Sequence, residues 1–500
     1  MQKKIKDSLF IRLEMCILDA TNKLNNTSPI GCTKLSFMTT KITKIGITNN
    51  KISGRGGLPL FLRYVQQIGL YRLISGVIIS LLTANKKGLQ LQQFIKQIIA
   101  FFMDGTNMAI SSFDESKKDP GYAAMLECKP DQLASSHQVK RFFAKLSFIP
   151  NFIFNKILHE LFVWRLHITK PHIIELGVDT MVLDNDTADK REGSEVTYKN
   201  KKGFQPLHIC WGRFLVDAMF RKGSAHSNHG SDYTDRVRLV IHLIRKRYDE
   251  NVPIILCADS GFADQKAYEI FEKELSIHYI TTGKLYADIK EYVGALPDEA
   301  FGEISKDKDK TIWRFTEFAG KLKSWSKFRR CIFTSLKRDE SGQYIIDFCK
   351  PDSIIYTNIG NCPKADEKLM AYGGSHYFEA ATIIKKSHER GADELIHRSF
   401  KELATKEQLP FKLFGMNKAY YFMLVITHII FEAYKHDVTA DIIPVTVYPN
   451  TFRRKLIDFA VKITSRARNT LLNVTRIIYE TINIEEIWIR CNSPPRIQLV

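Results

Sequence analysis

IIELGVDTMVL, residues 173–183, alternates along its length. Ile174, Leu176, Val178 and Val182 fall on one side of an extended chain, and Asp179 falls on the other. A period of two marks a strand with one buried face, so the run reads as a β-strand that carries a carboxylate opposite its apolar side. A charge in that position needs either a partner or a task.

Working outward, strand-like runs follow at GFQPLHICW (203–211) and FLVDAMF (214–220). Val237, Val240, Ile241 and Ile244 recur at helical spacing over about 232–248. VPIILCAD (252–259) is a short continuous apolar run, which suits a strand buried on both faces. A helix over about 264–274 and a strand HYITT (278–282) complete a β-β-β-α-β-α-β order. The fold class expected is α/β: a mixed sheet with helices, interrupted by a mainly β insertion and flanked by helical N- and C-terminal regions. Five segments are expected: a helical 1–165 whose basic faces suit DNA ends, a first α/β part 166–283, a β-rich insertion 284–352, a second α/β part 353–435, and a basic 436–500. Within them, GGLPLFLRY (56–64) opens a helix, and SSHQVKRFFAK (135–145) reads as a capped basic one. TIWRF (311–315), YIIDF (344–348) and SIIYTN (353–358) read as strands, and helices are expected over about 376–402 and 416–435.

Cutting and joining phosphodiesters is well served by two divalent ions about 4 Å apart. Mg²⁺ prefers a few carboxylate oxygens and keeps several waters. Three acids from separate elements fit that need. Asp179 lies in the first strand. Asp259 ends a buried strand and is followed by SGF, a turn at the carboxyl edge, where open α/β sheets place ligands. Glu394 lies on a helix with Arg390 and Lys401 at spacings of four and seven, hence on one face. Taken singly, each has a plainer reading: a lysine-paired acid, a helix cap, a solvated charge. Their joint placement favours a metal site beside a phosphate backbone.

The segments LGVDT (176–180), ADSGF (258–262) and RGADE (390–394) resemble the three catalytic blocks of bacterial insertion-sequence DDE transposases. These enzymes have a ribonuclease H-like domain interrupted by a β-rich insertion. The text from Glu192 to His208, with YKNKKGFQPLH at its end, and FRKGSAHSNHG (220–230) resemble the same family. Arg390, Glu394 and Lys401 match its Tyr-Arg-Glu-Lys signature, whereas the tyrosine position falls on Ser387, with His388 beside it. The resemblance implies cut-and-paste transposition by Asp179, Asp259 and Glu394 around two Mg²⁺, with Mn²⁺ able to substitute. It also implies phosphate contacts from Arg390 and Lys401, DNA contacts from Lys201 and Lys202, and Trp313 or Trp325 as a platform for a flipped base. The expected partners are double-stranded DNA, as terminal inverted repeats and target, and a second copy in a synaptic dimer. Asp184 and Asp186 lie close enough to Asp179 to compete for the first position. His226 and His229 read as loop histidines.

Composition agrees with a DNA partner. The 73 Lys+Arg against 54 Asp+Glu leave +19 over 500 residues, and each phosphate neutralised releases counterions. Nine scattered cysteines without a CxxC pair suggest reduced thiols rather than zinc or disulfides. AYYFMLVI (419–426) is too short to span a bilayer, and no signal-peptide pattern follows the N-terminus. A cytoplasmic, nucleoid-associated bacterial protein is therefore expected. Two other readings fit the same features: a nuclease that never joins, and a silenced DNA-binding derivative.

Overall fold

The computed structural model describes residues 42, 44–79, 88–187, 190–227, 229–306, 311–337, 352–389, 391–405, 407–466 and 469–497. The chain divides into two units, Met1–Asn49 and Asn50–Val500. In the first, residues 42 and 44–49 carry no helix or strand.

The N-terminal part of the second unit is helical: α1 (Leu58–Gln67), α2 (Leu70–Ile78), α3 (Leu91–Asp104), α4 (Ser136–Leu146) and α5 (Asn151–Thr169), with shorter turns between. The Ser135 Oγ accepts the Gln138 N–H, and Gln138 Oε1 accepts the Ser135 N–H at 2.8 Å. That reciprocal capping box fixes where α4 begins. Ahead of α1, the glycine pair allows close approach. Gly56 and Gly57 donate their N–H groups to the carbonyls of Phe459 and Ile457 at 3.0 and 3.2 Å. A Cβ on Gly57 would stand 1.7 Å from the Leu456 carbonyl oxygen, so only glycine fits.

The alternation at 174–180 is realised as β1 (Ile174–Thr180), with Ile174, Leu176, Val178 and Thr180 buried and the odd positions half-buried. β2 (Leu207–Trp211) and β3 (Phe214–Met219) follow, then α6 (Asp232–Arg247), β4 (Ile254–Ala258), a short helix and π-turn over 265–274, and β5 (His278–Gly283). These five strands lie in the order β3-β2-β1-β4-β5. β2 is antiparallel to β1, whereas β4 runs parallel to β1 and β5 parallel to β4. That is the ribonuclease H-like arrangement expected from the sequence. The single strand expected over 203–211 is two strands, Lys202–Phe204 in a separate three-stranded sheet and β2 in the main one. The break falls at Pro206, which has no N–H to give a ladder.

The insertion does not stand apart. β6 (Gly302–Lys306), β7 (Thr311–Gly320), β8 (Arg329–Leu336) and β9 (Asp352–Thr357) form an antiparallel run, and β9 pairs with β5. The nine strands make one sheet, β6-β7-β8-β9-β5-β4-β1-β2-β3. The strand expected at 344–348 lies outside the described residues.

Beyond the sheet come α7 (Pro363–Ala371), α8 (Ala380–Glu389), α9 (Gly391–Ala404), α10 (Phe414–Asp437) and α11 (Pro449–Leu456). One face of the sheet and α7–α8 bury Ile255, Ile280, Ile332, Ile355, Leu369 and Ile383 between them. On the other side, α10 runs through the main core, with every residue from Ala419 to Lys435 buried. A helix apolar all round belongs inside. The polar members Thr427, His428, Glu432 and Lys435 are inside as well. Among the described residues no helix is long and apolar enough to cross a membrane. Arg165 of α5 holds Asp437 at 2.8 Å, and the Tyr64 hydroxyl donates to the same carboxylate at 2.6 Å, so the N-terminal helices lock onto the end of α10. The basic C-terminal stretch forms a hairpin, Val461–Arg466 with Asn469–Asn473, whose first strand also pairs with Lys51–Ser53.

Candidate active site

β1 and β4 are parallel, with Gly177 opposite Cys257 and Val178 opposite Ala258. Asp179 and Asp259 are each one step further on, at adjoining strand ends. Neighbouring strands lie about 4.8 Å apart, and register partners on parallel strands share a face. Both carboxyl groups are half-buried. The Asp179 Oδ1 accepts the N–H of Thr180 at 2.7 Å, and Asp259 Oδ1 accepts that of Gly261 at 2.7 Å. The second bond explains the SerGly after Asp259. A Cβ on Gly261 would lie 2.9 Å from Asp259 Oδ1 and 3.1 Å from Ser227 Oγ. A side chain here would have to push the Asp259 carboxylate aside.

α9 supplies the third wall. His397 Nδ1 lies 3.7 Å from Asp179 Oδ2, so this helix passes directly beside the end of β1. A cavity of about 590 Å³ opens there, lined by Asp179, Tyr198, Lys199, His397, Arg398 and Lys401 among others. Lys401 is anchored on Glu407 at 2.9 Å. Glu394 is in α9, one turn before His397; its side chain lies outside the described residues, and so does Arg390 altogether. Among the described residues there is no group of three or more His, Cys, Asp or Glu side chains able to hold a metal.

The rival acids are engaged elsewhere. Asp184 belongs to the three-stranded sheet, where Lys201 at 2.7 Å holds its carboxyl below the usual range. Asp186 Oδ1 accepts the Lys202 N–H at 3.2 Å. Lys201 and Lys202 themselves are exposed on that sheet. The two tryptophans differ. Trp325 is 5% exposed and packs edge-on against Tyr268 and Tyr356, with the Arg329 guanidinium over its ring. Its faces are occupied by core. Trp313, in β7, is half-buried and lies against His388 of α8, ring centroids 4.5 Å apart. Ser387, at the signature's tyrosine position, is in the same turn of α8. His226 gives its carbonyl to Arg221, and the His229 carbonyl accepts the Asp232 N–H where α6 begins.

A buried polar layer under α9 was not read from the sequence. His208, opposite Asp179 on β2, is fully buried; its Nδ1 lies 3.4 Å from His397 Nε2, and its Nε2 is bonded to the Tyr421 hydroxyl of α10. Burial above all, with the Arg221 guanidinium nearby, pushes the His208 imidazole well below its usual range. Further along, Ser399 of α9 bonds His428 Nε2 and Glu432 Oε1, both at 3.1 Å, and Lys435 pairs with Glu432 at 2.8 Å. His397 had a legible signal, standing three after Glu394 and four before Lys401 on the same stripe. His208 and Tyr421 had none, because strand register and the depth of an apolar helix are tertiary facts.

The family model described as "Transposase DDE domain group 1" matches residues 38–487. No curated protein matches the chain. Among solved structures it is similar to a chain of the "Cryo-EM structure of piggyBac transposase synaptic complex with hairpin DNA", at 12% identity, over 82% of each chain, with a TM-score of 0.37.

Proposed function

The chain belongs to the transposase DDE domain group 1 family, and from that premise we propose that it cleaves DNA at the ends of a mobile element and joins the freed ends to a target. The observation that carries this reading is the pairing of Asp179 and Asp259 at adjoining parallel strand ends, with His397 of the Glu394 helix 3.7 Å from Asp179. Hard carboxylate oxygens at that spacing suit Mg²⁺ or Mn²⁺, so Asp179, Asp259 and Glu394 are the residues proposed to hold two such ions. Bound there, the ions would activate the attacking oxygen and stabilise the leaving one.

The chain's own groups supply the rest. Backbone N–H groups of Thr180 and Gly261 each occupy one carboxylate oxygen and orient the other. Lys401, on the cavity wall, and Arg390 are proposed to hold phosphates of the cut strand. In the first step water forms a bond to phosphorus, the P–O3′ bond breaks, and the 3′ oxygen leaves as a hydroxyl. In the second that hydroxyl attacks a target phosphate, releasing a target 3′ oxygen, so no external energy source is required. Trp313 is the better candidate of the two tryptophans for a base platform, because the faces of Trp325 are already covered. Two ends must be cut together, so a homodimer on paired inverted repeats is the proposed working form.

The test is to incubate the full chain with labelled DNA carrying the inverted repeats that flank its gene, Mg²⁺ and a target plasmid. Nicks at the repeat end and repeat DNA joined to the plasmid are the expected products. Glu394→Gln should remove both while leaving DNA binding close to wild type. Cleavage without joining would leave a nuclease, and binding without cleavage a silenced derivative.

A further inference from the structure

The cavity beside Asp179 has a second cation from α9 on its wall, one turn before Lys401: Arg398. Residues three apart on a helix are surface neighbours, yet these two differ in reach. The Arg398 side chain is 63% exposed and that of Lys401 27%. Glu407 holds the Lys401 ammonium at 2.9 Å, so a phosphate reaches it only by displacing that carboxylate. Arg398 is held by one edge and one face instead. Its Nε donates to Glu402 Oε1 at 3.1 Å, and the half-buried Tyr448, next to the start of α11, lies against the guanidinium, ring centroid 4.3 Å from Cζ. Among the described residues neither Nη1 nor Nη2 makes a hydrogen bond. The brace is fixed in turn. Glu402 Oε2 accepts the Asn450 N–H at 3.5 Å, and Arg453 Nη1 donates to the Glu402 carbonyl at 3.1 Å. α9 and α11 thus set the plane of the guanidinium between them.

We propose that Arg398, braced by Glu402 and Tyr448, binds a backbone phosphate of the DNA strand that enters the Asp179 cavity, end-on through Nη1 and Nη2. The proposal deepens the transposase reading and rests on it, since it needs DNA at this cavity. An exposed arginine is usually a solvated charge that loses rotamer freedom on binding. Here the side chain is already stacked and paired, and the pair of N–H groups left over has the spacing that matches two phosphate oxygens. Lys199, exposed in the turn after Val196, lines the same cavity and adds to its positive charge. Such a contact sets the register of the strand and reads no sequence. Arg398 therefore meets the DNA first, while Lys401 is still paired with Glu407.

The test pairs side-chain and phosphate changes on the full chain, without divalent ions so that no strand is cut. The probe is a fluorescent duplex ending in the inverted repeat that flanks the gene, with single phosphates near the end replaced, one at a time, by neutral methylphosphonates. Fluorescence anisotropy reads the affinity. Arg398→Gln should bind the unmodified duplex about 10-fold more weakly, with the slope of log affinity against log salt smaller by about 0.9. At one phosphate position the methylphosphonate should weaken the wild type by a similar factor and cost Arg398→Gln nothing more, the non-additivity that marks a contact. Arg398→Lys should recover the salt slope but only part of the affinity, because an ammonium has no fork. Tyr448→Phe should match the wild type, and Tyr448→Leu should fall between it and Arg398→Gln. Losses that simply add at every position, or wild-type affinity and slope in Arg398→Gln, would overturn the proposal. Adding Mg²⁺ separates the two ideas: a wild-type chain that shows the coupling yet leaves the DNA uncut and unjoined strikes at the transposase reading, while the phosphate contact stands.

Discussion

Gly261 shows how one missing side chain shapes the proposed catalytic edge. Its N–H reaches Asp259 Oδ1 at 2.7 Å, and a methyl group there would meet that oxygen at 2.9 Å. Gly261→Ala should therefore displace the carboxylate, and displacements near 1 Å can cost about 100-fold in rate. DNA cleavage falling by at least ~10-fold, with duplex affinity within about twofold of wild type, is the expected result in a paired cleavage and binding assay. His428 gives a residue-scale prediction of another kind. Burial, helped by Lys435 and Arg213, pushes its imidazole down to about 3. A depressed folded value means that its contribution is complete above the ordinary 6.5 and drains away as the pH falls through 6.5 towards 3. By pH 5 this one group should remove about 2 kcal/mol. Denaturant titrations at pH 7.5 and pH 5.0 should show a smaller acid loss in His428→Gln than in the wild type. His208 and His278, also held neutral by burial, keep the remaining slope from vanishing.

At the scale of elements, α9 is held at its far end by a side chain from outside the catalytic sheet. Arg453 of α11 is 5% exposed and donates to the carbonyls of Glu402 and Leu403 at the end of α9, and of Phe102 and Met103 near the end of α3. Carbonyls at a helix end have no partner within their own helix, so the guanidinium satisfies two ends together. Arg453→Met should lower unfolding free energy by roughly 3 kcal/mol or more, since several buried acceptors lose their donor. Chemical denaturation reads the loss, and an unchanged midpoint would rule the clamp out. Elements of this kind also mark the limit of what the sequence reveals. The β1 alternation, the apolar β4 run and the Ser135 capping box were legible because each is a local pattern. Pro206 splitting the 203–211 strand was legible in principle, from the missing N–H. Addition of β6–β9 to the edge of β5 was not, because an antiparallel ladder carries no address for the strand it joins. The same holds for the histidine pair behind Asp179, which depends on the register of β2 against β1.

Over the whole molecule, helices from both ends of the second unit close around α10, and the proposed catalytic edge sits where His397 of α9 meets the end of β1. The excess of 19 positive charges is the long-range counterpart of the proposed acidic centre: a basic body draws in a polyanion, and the three acids, if they converge as proposed, would bring metals to it. The central claim is that Asp179, Asp259 and Glu394, far apart in the chain, converge on the same ions. Loading the full chain with Fe²⁺ and adding ascorbate and peroxide generates short-lived radicals that cut the backbone beside the bound metal. Mass spectrometry of the fragments should place cuts in three clusters, around residues 179, 259 and 394, all suppressed by excess Mg²⁺. Cuts at only one of these places, or cuts indifferent to Mg²⁺, would contradict the account.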